Sequence, residues 1–329
     1  MLLFRYIGKR LFWGVFVLIF ISFFSFLVIQ LPAGDFLTSY LERLQSAGMS
    51  MDEQTLTALR HSYGLDRSFI IQYLNWFSNF IRGDMGVSFL YSEKVAVIIR
   101  ERLPATLMLT ATSFFFIYLI SIPVGIYSAR HQYSFGDFTA ATFSFIGMAT
   151  PSFLLALILM WFNYQVFGIS IGGLQSPYFM QQPMSWQKFV DLLKHLPVPI
   201  IVITMAGTAA LIRTMRATLL DELNKQYVIT ARAKGLKERI LINKYPVRSA
   251  LNPIISSAGW ILPELFSGQT VAAIVLGLPT IEPVLYRALL GEDMFLAASC
   301  IMIISILTII GLLVSDILLA VYDPRIRLG

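Results

Sequence analysis

Two carboxylates stand inside runs of otherwise apolar sequence, where the cost of desolvation makes an ionisable group either functional or paired. Glu264 follows Pro263 within Ser249–Leu278, and Asp316 precedes Asp323 by seven residues near the end of the last run. Proline removes a backbone donor and loosens the helix around it. Glu264 is therefore read as lining a path or as packing between helices, and both roles stay open. Asp316 falls about 10 Å from the end of its helix at the usual rise per residue. A pair with Arg213 or Arg216 is its expected role. A proton relay needs more such groups linked in series, which disfavours an ion-coupled carrier.

Other chemistry lacks its residues. There is no G-x-x-x-x-G-K-[ST] phosphate loop, no H-E-x-x-H and no G-x-S-x-G, so ATP hydrolysis by that device, zinc proteolysis and serine hydrolysis have no centre. His61, His131 and His195 fall in three separate loops without metal-ligand spacing, so no metal is expected. Gly168, Gly172 and Gly173 read as a flexible external turn. The single cysteine, Cys300, lies in an apolar run and reads as a small core residue. The chain looks like a conduit, with no catalytic residues and no cofactor of its own.

The most distinctive stretch is QYVITARAKGLKERILINKYPVRSALNP, from Gln226 to Pro253. Between the flanking apolar runs, residues 213–248 carry nine Lys or Arg against Asp221, Glu222 and Glu238. A loop this basic between membrane helices stays in the cytoplasm. Two pieces of helix-compatible sequence meet at Gly235, where a sharp turn costs little. A short, turn-broken helix on a cytoplasmic face is a docking device; the bland alternative is a basic loop held at anionic lipid.

These elements need a membrane to position them. The chain of 329 residues is 57% hydrophobic and 13% charged, with a mean hydropathy of +0.71. The net charge of +6 sits at helix ends and in one loop, which argues against nucleic acid as a partner. Six spans are expected: Leu11–Leu31, Pro104–Ala129, Phe138–Phe167 with a kink at Pro151, Leu196–Ile212, Ser249–Leu278 and Met294–Tyr322. Short loops and tails on one side hold fifteen Lys or Arg, those on the other only Lys188, Lys194 and Arg287. Both termini are therefore expected in the cytoplasm. The first run, 21 residues long, exceeds a signal-peptide core and reads as an uncleaved helix. The external segment, residues 32–103, contains Ile70, Tyr73, Leu74, Phe77, Phe80 and Ile81 at helical spacing, with Trp76 beside them. That pattern suits a helix along the membrane surface or against the spans, acting as a platform at the outer mouth or as a packing element.

Motifs along nearly the whole length give the chain a family resemblance. YGLDRSFIIQYLNWFSNFIRGDMGVSF (Tyr63–Phe89), ERLPATLMLT (Glu101–Thr110), TARAKGL (Thr230–Leu236), RSALNP (Arg248–Pro253) and DPRIR (Asp323–Arg327) resemble the inner-membrane permease subunits of bacterial ATP-binding-cassette importers of the oligopeptide/dipeptide (peptide/nickel) type. Ile229 stands where the general importer motif has glutamate. Tyr245-Pro246, Ala273, Thr280-Ile281-Glu282 and Phe36 also depart from the expected pattern.

The resemblance implies an all-α membrane protein of the type I importer permease fold, one transmembrane domain over residues 1–329, in the bacterial inner (plasma) membrane. It implies half of a translocation pore completed by a second homologous permease. Two P-loop ATPase subunits, which bind the ATP and magnesium, and a periplasmic or lipid-anchored substrate-binding protein complete the machine. The loop 213–248 would be the coupling loop, with Tyr227, Thr230, Ala231, Arg232, Ala233, Lys234, Gly235 and Leu236 at the ATPase joint. The implied cargo is peptides or peptide-like solutes, with oligosaccharides or nickel as the alternative.

Overall fold

The protein was analysed as a computed structural model that describes residues 2–31, 57, 61, 66–168 and 171–322. The ending DPRIR and most of residues 32–65 lie outside the described residues. Helices account for nearly all regular structure, and among the described residues the sole β-pairing is the isolated bridge Val87–Lys94. Hydrocarbon supplies no hydrogen-bond partners, so a spanning backbone must satisfy itself within one helix.

Among the described residues four helices are long and apolar enough to cross a membrane. They are α1 (Leu2–Ile29), α3 (Val95–Arg130), α7 (Pro197–Leu223), which continues a shorter α6 (Trp186–His195), and α14 (Met294–Tyr322). Helix α2 (Phe69–Ile81) belongs to the external segment. At about 1.5 Å per residue α3 runs some 54 Å, well beyond a 30 Å hydrocarbon core.

The third expected span is broken. α4 (Phe135–Ala149) and α5 (Ser152–Phe167) meet at 109°, a reversal of direction in place of the kink expected at Pro151. The proline ring pushes the residue before it out of the helical region, and Thr150 is accordingly extended at φ −88°, ψ 121°.

The fifth expected span is divided as well. α10 (Pro246–Ser256), α11 (Ala258–Ser267) and α12 (Thr270–Val275) are each too short to cross alone, so the six expected spans appear as four long helices and these two interrupted stretches. Pro253 and Pro263 each delete a ladder donor. At the second break Gly268 donates to the Glu264 carbonyl at 2.7 Å, and a Cβ on Gly268 would stand 2.8 Å from that oxygen. Only glycine fits.

The chain forms two compact units. One comprises Lys9–Thr106 and Thr280–Leu307. Its core joins α1, α2, the start of α3, α13 (Ile281–Leu290) and the start of α14. Phe26 stacks on Trp76 with ring centres 5.5 Å apart, and Ser22 hydrogen-bonds the Tyr73 hydroxyl at 2.9 Å. Cys300 is fully buried in this core. Helix α2 thus packs against spans through Tyr73 and Trp76, whereas Ile70, Leu74 and Ile81 from the expected apolar stripe are exposed. Burial belongs to a face rotated from the one the spacing pointed to.

In the same unit Asp293 caps α14, accepting from Leu296 N at 3.1 Å. Its other oxygen takes Ser88 Oγ at 2.5 Å and Leu90 N at 3.0 Å. Burial raises this carboxyl above its ordinary value, against the opposing pull of those donors. The other unit comprises Met1–Gly8, Leu107–Pro279 and Thr308–Gly329. Within it α7 packs against α4, α5 and α10. Gly173 donates to Leu276 O at 2.7 Å and adopts φ +82°, so this expected flexible turn is a close backbone contact.

Asp293→Ala strands three buried or half-buried donors at once, each worth about 1–3 kcal/mol when left unpaired. The variant is expected to melt measurably lower in detergent, with Asp293→Asn between it and the parent. An unchanged melting temperature for the alanine variant would show that Asp293 does not hold the 88–91 loop to α14.

Candidate functional site

The basic loop between α7 and α10 folds as two short helices around one turn. α8 (Gln226–Ala233) contains Tyr227, Thr230, Ala231, Arg232 and Ala233, and α9 (Glu238–Lys244) follows after Lys234, Gly235, Leu236 and Lys237. Gly235 adopts φ +77°. Its N–H donates to Arg232 O at 3.0 Å and that of Leu236 to Ala231 O at 3.4 Å. These two bonds close a left-handed helix stop that satisfies carbonyls α8 would otherwise leave open. A Cβ on Gly235 would meet nothing within 4 Å, so the backbone angle, not space, selects glycine.

Side chains brace the turn. Arg232 spans it and grips Glu238 with two hydrogen bonds, Nε at 3.1 Å and an amino group at 2.7 Å. That contact holds the Glu238 carboxyl below its ordinary value. Glu222 receives Lys225 Nζ at 2.6 Å and the Tyr227 hydroxyl. Burial, seconded by Glu222, raises the tyrosine above its ordinary value. Val228 is fully buried and pins α8 to the rest of the unit.

Leu241 and Ile242 are buried as well and anchor α9, while most of the remaining loop residues point outward. Tyr227, Thr230, Arg232, Ala233, Lys234, Gly235 and Leu236 are exposed, and Ala231 is half-buried. Ile229, Ile240 and Tyr245 are exposed too, at 47%, 52% and 38%. With Tyr227 and Leu236 they put five large apolar side chains on the exposed surface of one polar loop. Such a loop gains by covering them. Of the two expected docking cations, Arg232 is neutralised within the loop by Glu238, and Lys234 has no partner among the described residues. The spacing of cations did not reveal Ile229, Ile240 or Tyr245. Their signal was the apolar residues that recur among the polar ones of this stretch.

The intramembrane acids resolve differently. Glu264 is exposed on α11. With Ser249, Pro253, Ser256, Trp260 and Ser267 it forms an exposed stripe spaced by three or four residues along α10 and α11. The opposite side of α11, Ile261, Leu262, Leu265 and Phe266, is buried, and a Cβ on Gly311 of α14 would stand 3.0 Å from Leu262 Cβ. Asp316 lies on α14 next to the buried Ser315. The partner expected for it, Arg216, is held by Asp137, with Nε 2.7 Å from one carboxyl oxygen and an amino group 2.8 Å from the other. Arg213 covers the Phe145 ring at 4.8 Å. Asp137 went unnoticed in the sequence. The S-x-x-D pattern of Ser134 and Asp137, a helix-start signature, marked the position but not its partner. Among the described residues no three His, Cys, Asp or Glu converge as a metal site would require.

Similarity to known proteins decides what this loop belongs to. Residues 121–328 match the family described as the binding-protein-dependent transport system inner membrane component, and residues 3–110 match its N-terminal companion. The chain belongs to this family. Over 98% of the permease and 99% of the relative it is 32% identical to the oligopeptide transport system permease protein AppB of Bacillus subtilis (strain 168). It is 30% identical, over 98% and 99%, to a putative peptide permease protein of Brucella ovis. To the inner membrane ABC transporter permease protein YejB of Escherichia coli O157:H7 it is 31% identical over 85% of the permease and 78% of the relative. The permease is therefore an all-α, multi-pass transport component of the inner membrane, as the motifs implied.

Forcing a side chain into the left-handed region costs about 1–2 kcal/mol. Gly235→Ala in the purified permease is therefore expected to speed hydrogen exchange at the Leu236 amide roughly tenfold, leaving the Val228 amide unchanged. Equal protection of Leu236 in both proteins would refute the strain assigned to this turn.

Proposed function

We propose that the permease forms one half of a pore that imports peptides or peptide-like solutes, driven by separate ATPase subunits. The observation that carries this reading is the exposed apolar surface of the braced loop, residues 226–245, which has the form of a joint awaiting a groove. The chain has no phosphate loop, so the nucleotide and its magnesium belong to partners that the joint engages. The names of the relatives favour peptide cargo. A second permease subunit completes the pore, and a binding protein delivers the solute outside. Closure of the ATPases moves the joint, and the helices swing as rigid bodies between inward- and outward-open states.

In this reading Tyr227, Thr230, Ala231, Arg232, Ala233, Lys234, Gly235 and Leu236 make the ATPase contact, with Ile229, Ile240 and Tyr245 widening it. The stripe from Ser249 to Ser267 forms a pore wall with Glu264 near its centre. A carboxylate facing lipid near the middle of a span costs about 3 kcal/mol on insertion scales, whereas one facing a wet path does not. Both termini lie in the cytoplasm, and residues 1–329 act as a single transmembrane domain.

Two experiments test this. Ala231→Trp and Gly235→Val overfill the joint or strain it, at about 1–3 kcal/mol for overpacking. In the assembled transporter they are expected to lose ATPase co-purification or substrate-stimulated hydrolysis, while Lys188→Ala keeps both. Unimpaired transport by both joint variants excludes the loop as the coupling element. The second experiment labels single cysteines with a small impermeant thiol reagent on intact spheroplasts, against a background in which Cys300 is fully buried. Tyr178→Cys is expected to label and Lys237→Cys not. Glu264→Cys should label in the outward-open state, while Leu154→Cys, on a lipid-facing surface, should stay unlabelled. Labelling at Lys237 and not at Tyr178 inverts the orientation, and an inert Glu264 position removes it from the pore.

A further inference from the structure

Asp137 sits in the first turn of α4 with 4% of its surface exposed, and its carboxylate is saturated. One oxygen accepts from Ser128 Oγ, at the end of α3, and from Arg216 Nε of α7. The other accepts from Arg216 at 2.8 Å and from Tyr133 N at 2.9 Å. A planar guanidinium gripping a carboxylate through two parallel bonds fixes orientation as well as distance. Three helices are thereby tied at one point.

The backbones around that point are in contact. A Cβ on Gly125 of α3 would fall 2.6 Å from Met215 Cβ, beside Arg216, and 3.1 Å from Ile212 O. Further along the same seam Gly207 of α7 leaves room for Ile117 of α3, where a Cβ would meet it at 3.1 Å. Gly147 of α4 meets Met205 and Ala209 of α7 in the same way, at 3.2 and 3.3 Å. Small residues at crossing points let membrane helices approach closely. Such seams resist compression, but they can slide along their length. The Asp137–Arg216 clamp is the directional link that blocks sliding.

Arg216 also lies ten residues before Gln226, the first residue of α8, on the helix that carries the joint. We propose that the Asp137–Arg216 clamp transmits movement of the coupling loop to α3 and α4, so that α3, α4 and α7 move as one body during transport. Asp137 and Arg216 are positioning residues, and their role rests on the coupling reading above. Movement at α8 reaches α7 through the chain itself. It reaches α4 and α3 through a pair whose geometry tolerates little rotation. Without the pair, α7 can shift against its neighbours along the glycine seams, and the stroke is lost before it reaches the pore.

The test separates transmission from folding. Removing one partner leaves the other charge uncompensated, which damages folding by itself, whereas neutralising both removes that penalty. The transporter reconstituted with its second permease, ATPases and binding protein is compared with Asp137→Asn, Arg216→Gln and the double variant. The double variant is expected to assemble at parental yield with its ATPases attached. Its binding-protein-stimulated hydrolysis is expected to fall at least tenfold, and solute moved per ATP to fall with it. Parental stimulation in the double variant overturns the proposal, and so does its failure to assemble, which would make the pair a folding element. Failure of the underlying coupling reading is seen elsewhere, as retention of ATPases and transport by Ala231→Trp.

Discussion

Within hydrocarbon a peptide group has no water to fall back on, and every feature of this permease answers to that scarcity of partners. Long helices meet the requirement outright. Where proline interrupts the sequence, the chain bends or the helix divides. Thr150 turns the chain through 109° ahead of Pro151, and Gly268 brings its N–H onto the Glu264 carbonyl. Several polar side chains follow the same rule, although the buried hydroxyls of Ser113, Ser121 and Thr208 make no hydrogen bond among the described residues. Ser22 finds Tyr73, Tyr118 finds Ser257, and Asp137 fills all its acceptor positions. Two groups of exposed polar residues bear on function: the basic loop and the stripe along α10 and α11.

The two places fit one machine. A loop stiffened by Arg232–Glu238 and by the left-handed turn at Gly235 keeps its shape when pushed. A soft loop would absorb the stroke. On the coupling proposal its apolar side chains supply adhesion, and Lys234, Lys237, Arg239 and Lys244, which make no ion pair among the described residues, supply charge to the contact. The stripe lies on the helices that follow directly from the loop, since α10 begins two residues after α9 ends. On the proposed reading, force and passage are thus neighbours in the chain.

Much of this was legible in the sequence because the bilayer forces a simple code. Charge-free runs located α1, α3, α7 and α14, and the cluster of cations with Gly235 located the loop and its turn. What could not be read was set by neighbours. Pro151 is compatible with a gentle kink or a sharp bend, and α4 and α5, both packed against α7, meet at 109°. The apolar spacing of residues 70–81 defined a helix, but burial of Tyr73 and Trp76 was settled by the aromatic surface of Phe26 and the start of α14. Asp316 was the acid expected for Arg216, and the pairing with Asp137 found instead depends on α4 standing beside α7. Local sequence specifies the donor, and only the fold specifies the acceptor.

The prolines inside α10 and α11 carry a consequence for mutational study of the permease. Pro253 and Pro263 cannot donate to the carbonyls four residues earlier, so the oxygens of Ser249 and Gly259 lack their helical donors. Each is an acceptor that belongs to the main chain and remains whatever side chain is substituted at 249 or 259. A scan that replaces side chains one by one along this wall would pass over both. They respond only to replacement of the prolines themselves, which restores the ladder.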